Sequence, residues 1–316
     1  MSNPVQACSN SLVVAIVGAT ATGKSELALR LSRCLSVEIV NADSRQVYRS
    51  MDIGTGKPSL SERAQVPHHV FDVVNPDDEF SLAEYLRHAR AALDGISARG
   101  HLPLVVGGSG QYVWSLMEGW HVPEVPPDAA FRLQLEQVAR EQGHEAVHQL
   151  LARIDPDAAH EIQPTNVRRV IRALELFHAT GTPPTDLRRR RTPPSARTLI
   201  LGLALDRPLL HSKIDARIAT MVRAGFADEV RALLAAGYGA SLPSMSSIGY
   251  REMIHFVTGA ADLETAVAGI RRETRRLVRR QHAWFKSGDE RIMWVDAQDL
   301  DAAVGVVSAA VQERMR

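Results

Sequence analysis

Cysteine is nearly absent from the 316-residue chain: Cys8 and Cys34 are the only two, and they form no paired motif. Neither a disulfide framework nor a cysteine-based zinc site is supported. Long apolar runs are missing as well. Nothing approaches the roughly 20 consecutive apolar residues that span a bilayer. Residues 1–10 carry no basic region, and the apolar run 12–17 is too short for the core of a secretion signal. Compositional bias is also missing, with 45% hydrophobic and 23% charged residues, which excludes a fibrous or disordered chain. The expectation is a cytoplasmic protein of about two domains, or of one domain with a large insertion. The formal net charge of +1 conceals an asymmetry. Residues 1–160 hold 13 Lys and Arg against 19 Asp and Glu, whereas residues 161–316 hold 24 against 17. A basic half on a neutral chain points to a polyanionic partner, or else to a solvated surface.

What is present reads as alternating strands and helices. Leu12–Val17 is a short apolar run that suits a buried strand. After a glycine-rich turn, Leu27, Leu31 and Leu35 recur at helical spacing. Val37–Val40 and Val70–Val74 are further strand candidates. Ser81 and Glu84 have the spacing of a capping box that opens a helix to Ala98, and Leu102–Val106 is a buried strand ending in Gly107-Gly108. Strands separated by helices predict a parallel sheet covered on both faces. Near residue 117 the pattern changes. Pro123, Pro126 and Pro127 break regular structure, and only helical periodicity runs over 128–142, 144–152 and 165–180. Gly181-Thr-Pro-Pro184, Arg188–Arg191 and Pro193-Pro194 follow. Strand character returns at Thr198–Leu205, then helices at 208–224, 226–236, 247–257 and 262–286, a strand at Ile292–Val295 and a closing helix from Asp299. The fold class expected is α/β, a parallel sheet with helices on both faces. Its core is formed by residues 12–116 and 198–316 and interrupted by an all-helical insertion, 117–197.

Gly18-Ala19-Thr20-Ala21-Thr22-Gly23-Lys24-Ser25 fits G-x-x-x-x-G-K-[ST], the P-loop pattern, between an apolar strand and an amphipathic helix. Its glycines let backbone N–H groups converge on phosphate oxygens, and the helix N-terminus adds positive potential. Lys24 supplies a full charge, and the Ser25 hydroxyl can bind Mg²⁺. The motif implies a phosphate-bearing ligand without naming it. A P-loop NTPase carries an Asp at the end of a buried strand, but Leu102–Val106 runs into Gly-Gly instead. The nearest acid in strand order is Asp43, just past the second strand. In a parallel sheet that is the carboxyl edge, near the P-loop. Asp43 could hold Mg²⁺ through water or act as a general base; its bland reading is a helix cap. Ser44, Arg45 and Gln46 open a polar loop, where ligand contacts concentrate.

Together with the P-loop, seven further segments form a recognisable set. They are Asp43-Ser-Arg-Gln-Val-Tyr48, Met51-Asp-Ile-Gly-Thr-Gly-Lys-Pro58, Pro67-His-His69, Val106-Gly-Gly-Ser-Gly110, Asn166-Val-Arg-Arg-Val-Ile-Arg-Ala-Leu-Glu175, Ser247-Ile-Gly-Tyr-Arg-Glu252 and Arg280-Gln-His-Ala-Trp-Phe285. The chain resembles the bacterial tRNA dimethylallyltransferases, or tRNA isopentenyltransferases, in that family's order and over nearly its whole length. Departures are small. Ala19 stands for a usual Pro, Ser109 for Thr, Gln111 for an apolar residue and Lys213 for Arg.

The resemblance implies transfer of a dimethylallyl group from dimethylallyl diphosphate to the exocyclic N6 amine of the adenosine 3′ to the anticodon, tRNA position 37, by a monomeric enzyme. The P-loop would hold the donor's diphosphate, not ATP, with Mg²⁺ as cofactor. By the same resemblance Asp43 is the general base, Ser44 and Gln46 lie against the target base, Ser109 lies near the reacting amine, and Arg217 contacts the diphosphate. It assigns tRNA contact as well to Arg45, Arg132, Arg168, Arg169, Arg172, Ser247, Gly249, Tyr250, Arg251, Arg276, Arg280, Gln281 and Trp284. Arg271, Arg272, Arg275, Arg276, Arg279 and Arg280 share one predicted helix, and spacings of three and four align several of them. Alone, that reads as a solvated face; beside an anticodon stem, phosphate contact is the better reading. Trp284 and Phe285 could stack on a base, although core packing is the commoner fate. Arg188–Arg191 lie outside the motifs and read as solvated linker, and His68 and His69 lack a third ligand and read as loop-shaping. Two other classes stay open. A P-loop small-molecule kinase using ATP would explain Lys24 and Asp43 but not the basic helices. A non-catalytic RNA-binding protein with a relict P-loop is opposed by the survival of Lys24, Ser25 and Asp43.

Overall fold

The computed structural model describes residues 12–192 and 196–315. Cys8 and the Pro193-Pro194 break lie outside the described residues. Among these, 118–192 form one compact unit, and the segments on either side form the other.

The larger unit is built on six parallel strands: β1 (Leu12–Gly18), β2 (Val37–Asn41), β3 (His68–His69), β4 (Leu102–Val106), β5 (Arg197–Ala204) and β6 (Ile292–Asp296). Their order is β3-β2-β4-β1-β5-β6. β1 is buried along its whole length, which explains why its sequence is continuously apolar: both faces of the strand are covered. Ile16 and Asn41 both pair with Val106, so β1, β4 and β2 end level with one another. The chain leaves β1 toward β2 on one side and returns as β5 on the other. Such a reversal of strand order opens a crevice at the carboxyl edge.

Around the sheet lie α1 (Lys24–Ser32), α2 (Leu60–Arg63), α3 (Leu82–Ala98) and α4 (Gly110–Met117). The smaller unit contains α5 (Ala129–Glu141), α6 (His144–Ile154), α7 (Pro156–Glu161), α8 (Val167–Thr180) and α9 (Pro184–Arg189). Then come α10 (Arg207–Arg223), α11 (Phe226–Ala235), α12 (Tyr250–Val257), α13 (Leu263–Trp284) and α14 (Leu300–Met315). Leu27 and Leu31 of α1 join the sheet and α14 residues Ala303, Val307 and Val311 in one core. The Ser81–Glu84 capping box forms at the start of α3. The smaller unit has its own core, centred on Val147, Leu151, Ala158, Val170, Ile171 and Leu174.

Several local expectations need correction. The third strand is His68–His69, not Val70–Val74. Val70 and Asp72 take positive φ, 64° and 53°, which no strand accommodates. Asn41 Nδ2 holds the Val70 carbonyl at 3.0 Å, and Lys57 and Arg63 hold Asp72 at 2.6 Å. Tertiary hydrogen bonds thus override β propensity. Arg188–Arg191 is solvated but not all linker: Arg188 and Arg189 lie in α9, and Arg188, Arg189 and Arg191 pair with Glu161, Asp157 and Glu118. α4 escaped notice because Tyr112–Met117 is buried all round and shows no amphipathic stripe.

Candidate functional site

The site begins where β1, β4 and β2 end. From Gly18 the chain loops to Gly23 and enters α1 at Lys24, so the first-turn amides of α1 open into this loop. Ala21 takes φ 65°, as a loop curling its amides around an anion requires. Lys24 Nζ donates to the Gly18 and Ala19 carbonyls at 3.1 and 2.7 Å, which folds the side chain over its own loop. Burial lowers its pKa from 10.5 to about 8, against a counteracting pull from Asp43; Arg217 lowers it further. Ser25 is exposed, and its hydroxyl has no hydrogen bond among the described residues.

Asp43 follows β2. Its amide donates to Asn41 Oδ1 at 2.8 Å, and Asn41 Nδ2 returns a bond to the Asp43 carbonyl at 3.0 Å. One carboxylate oxygen accepts the Arg45 amide at 2.9 Å; the other makes no hydrogen bond among the described residues. β4 supplies the third wall. Gly107 lies so close to Ala42 that a Cβ there would meet its carbonyl oxygen at 2.1 Å, so only glycine lets the two strand ends approach. Ser109 consequently sits beside Ser44: its Oγ accepts the Ser44 amide at 3.0 Å, and its own amide donates to the Ala42 carbonyl at 3.1 Å.

A cavity of about 550 Å³ opens over these groups. Thr20, Asp43, Ser44, Ser109, Arg217, Gln281 and Trp284 line its polar side, and Ile214, Ile218, Met221, Phe226 and Leu277 line an apolar one. Arg217 is held by the Thr55 carbonyl at 3.3 Å, and burial lowers its pKa while the Asp43 charge raises it. Lys24, Asp43 and Arg217 are thus one electrostatic group.

The residues expected at a tRNA face divide sharply. Arg168, Arg169 and Arg280 are exposed and make no ion pair among the described residues. Arg276 pairs with Glu273 at 2.8 Å and Arg251 with Glu252 at 2.6 Å, yet both are exposed. Trp284 is 43% exposed at the cavity wall, whereas Phe285 is buried against Trp114. Arg45 reaches the Pro243 carbonyl, and the Gln46 amide nitrogen donates to the Thr55 and Gly56 carbonyls. Arg132 and Arg172 both grip buried Glu175 in the smaller unit. Burial raises the Glu175 pKa, but these arginines and the Asp128 amide prevail and hold it at about 2.

Four of the residues expected to contact tRNA are buried and hydrogen-bonded within the protein. Tyr250 is fully buried and its hydroxyl donates to Glu229 at 2.6 Å. Gln281 is buried with both amide ends spent: Oε1 accepts the Thr20 amide at 2.9 Å, and Nε2 donates to the Gly108 carbonyl at 3.1 Å. It clips the P-loop to the end of β4. Ser247 is buried with its hydroxyl on the Ser244 carbonyl, and buried Gly249 spends its amide on Glu252. Three of them, Ser247, Gly249 and Gln281, also line the cavity. His68 and His69 serve the loop, bonding to the Val66 carbonyl and Glu38. Asn41 and Glu229 were not singled out from sequence; the only signal for Asn41 is a polar residue closing an apolar strand.

A strand–glycine loop–helix anion cradle, with a carboxylate at the end of β2 and a half-buried arginine facing it, defines a P-loop α/β protein built to handle a phosphorylated substrate. Comparison with known proteins is more specific. Residues 46–288 match the IPP transferase family model, and residues 11–69 match isopentenyl transferase. A tRNA dimethylallyltransferase of Roseiflexus castenholzii is 52% identical over 87% of this chain and 89% of its own. One of Herpetosiphon aurantiacus is 47% identical over 96% and 94%. Among solved structures, the tRNA isopentenylpyrophosphate transferase of Bacillus halodurans is 35% identical with a TM-score of 0.70, covering 97% of each chain. A eukaryotic dimethylallyltransferase acting on tRNA is 26% identical with a TM-score of 0.82, over 96% of this chain and 80% of that one. The chain belongs to the IPP transferase family and is a prenyltransferase.

Proposed function

We propose that this prenyltransferase moves the dimethylallyl group of dimethylallyl diphosphate to the N6 amine of the adenosine 3′ to the anticodon, tRNA position 37, with Asp43 as general base. The observation that carries the reading is Asp43 itself. It has one unspent carboxylate oxygen on the cavity wall, within electrostatic range of Lys24 and Arg217.

An aromatic amine is a weak nucleophile. As N6 attacks the donor's allylic carbon, the carbon–oxygen bond breaks, diphosphate leaves, and the N6 proton passes to Asp43. A carboxylate in contact range contributes about 10²–10⁴-fold to such a step. Charge develops on the leaving diphosphate, where Lys24, Arg217 and the P-loop amides can meet it. The Thr20 amide is excluded from that set because Gln281 already holds it. The apolar wall from α10, α11 and α13 suits the prenyl tail and keeps water from the allylic carbon. The free Ser25 hydroxyl and the Asp43 carboxylate are hard oxygen donors of the kind Mg²⁺ prefers. Bound with the diphosphate, Mg²⁺ would neutralise part of the leaving group's charge.

The target adenosine must leave the anticodon-loop stack, at a cost of a few kcal/mol, and exposed Trp284 offers a ring to stack on. Arg168, Arg169, Arg276 and Arg280 are the side chains best suited to tRNA phosphates. No helix among the described residues is long and apolar enough to cross a membrane, and a tRNA substrate implies work in the cytoplasm. Inorganic diphosphate should be released from dimethylallyl diphosphate only when unmodified tRNA is present, and in equal amount to the tRNA consumed. ADP release from ATP with a small alcohol acceptor would restore the kinase reading.

A further inference from the structure

The motif Met51–Pro58 has no task in the reaction just described, yet side chains from distant elements brace it. Asp52, Ile53 and Gly54 direct three consecutive amides at one carboxylate, Glu229 of α11, at 2.9, 2.7 and 3.1 Å. Such a nest of amides is an anion site, and here the anion is the protein's own. Glu229 also accepts the Tyr250 hydroxyl at 2.6 Å. Gly54 seats the turn on the Phe226 and Tyr250 rings, where a Cβ would come within 2.5 Å of both. The next residue, Thr55, offers its carbonyl to Arg217 at 3.3 Å. Gly56, at φ 62°, lies so close that a Cβ would stand 1.9 Å from the Arg217 guanidinium. Gln46 fixes the same Thr55 and Gly56 carbonyls from the other side, at 3.2 and 3.1 Å.

These contacts form one chain: Glu229 and Tyr250, the amides of 52–54, the carbonyl of Thr55, the guanidinium of Arg217. We propose that Glu229 is a positioning residue for Arg217, holding the 52–56 turn so that the guanidinium stands fixed at the cavity where the donor's diphosphate binds. The inference rests on the reading that Arg217 meets that diphosphate. It gives buried Tyr250, a member of the site's motifs, a partner within the protein.

The test is a double-mutant cycle on the full-length enzyme, read as donor KM, tRNA KM and kcat. Glu229→Gln puts an amide donor among three N–H groups and a hydroxyl. It should raise donor KM about 10-fold, in line with the cost of a small misplacement at a binding group, and leave tRNA KM unchanged. In an Arg217→Gln background the same substitution should change donor KM less than about twofold, because the group it acts through is gone. Tyr250→Phe, which keeps the ring and removes one bond to Glu229, should show the same pattern at smaller amplitude and serves if Glu229→Gln folds poorly. An equal effect of these substitutions in both backgrounds, or an equal rise in tRNA KM, would overturn the proposal and leave Glu229 a fold-stabilising residue. If Arg217→Gln alone left donor KM unchanged, the proposal would fall with the assignment of Arg217 to the donor, a failure distinct from the first.

Discussion

Lys24 should take up a proton when the donor binds. Without ligand its pKa is held at about 8, chiefly by burial. A diphosphate in the P-loop supplies the counter-charge that burial removed. If that restores the ordinary value of 10.5, the bound lysine stays protonated through a range in which the free one does not. The sign follows: below pH 8 both states are charged and affinity is flat, and from pH 8 to 10.5 affinity falls as pH rises. At pH 9 binding should take up about 0.9 proton, against about 0.1 at pH 7. The dissociation constant should be about 20-fold weaker at pH 9.5 than at pH 7.5. The donor's own phosphate titrates at about pH 6 and does not intrude. The assay is calorimetry with a non-reactive thiolo analogue of the donor, titrated into enzyme saturated with tRNA, in buffers of different ionisation enthalpy. Lys24→Met should abolish the uptake. Uptake below about 0.2 proton at pH 9, or equal uptake in Lys24→Met, would refute the reasoning.

Further outcomes follow from the same contacts. Gln281→Ala strips partners from the Thr20 amide and the Gly108 carbonyl; at about 1–3 kcal/mol for each unpaired buried group, urea denaturation should show a clear loss of stability, with tRNA affinity little changed. Arg169→Gln or Arg280→Gln should weaken tRNA binding by about 1 kcal/mol and make its salt dependence shallower by up to roughly one unit, whereas Arg132→Gln should cost stability in the smaller unit first. Glu175, held at about 2 in the folded state against 4.5, contributes stability that is present above pH 4.5 and lost as pH falls toward 2. Glu175→Gln should therefore flatten the acid limb of a thermal-midpoint profile.

How much was legible in the sequence depended on how local the cause was. The P-loop and Asp43 could be found because strand, turn and helix signals are contiguous and strand order sets which edge a residue reaches. The helices of 118–192 showed because one apolar stripe per helix faces a small core. What escaped depends on distant partners. Glu229 lies 175 residues from Gly54 along the chain, and on an amphipathic helix it looks like any solvated acid. Val70–Val74 has the composition of a strand, but Asn41, Lys57 and Arg63 impose another path. Family resemblance located Tyr250 and Gln281 in motifs but did not show their bonds to Glu229, to the P-loop and to the end of β4. A motif records that a residue type is required; it does not distinguish touching the substrate from holding what touches it.

The most direct test of the account is nucleoside mass spectrometry of one unmodified tRNA after incubation with dimethylallyl diphosphate and either wild-type enzyme or Asp43→Asn. Wild type should add one dimethylallyl group to the adenosine 3′ to the anticodon and to no other base. Asp43→Asn should bind the tRNA as well as wild type but modify it at least about 10²-fold more slowly. Full-rate modification by Asp43→Asn, or prenylation at another position, would contradict the account.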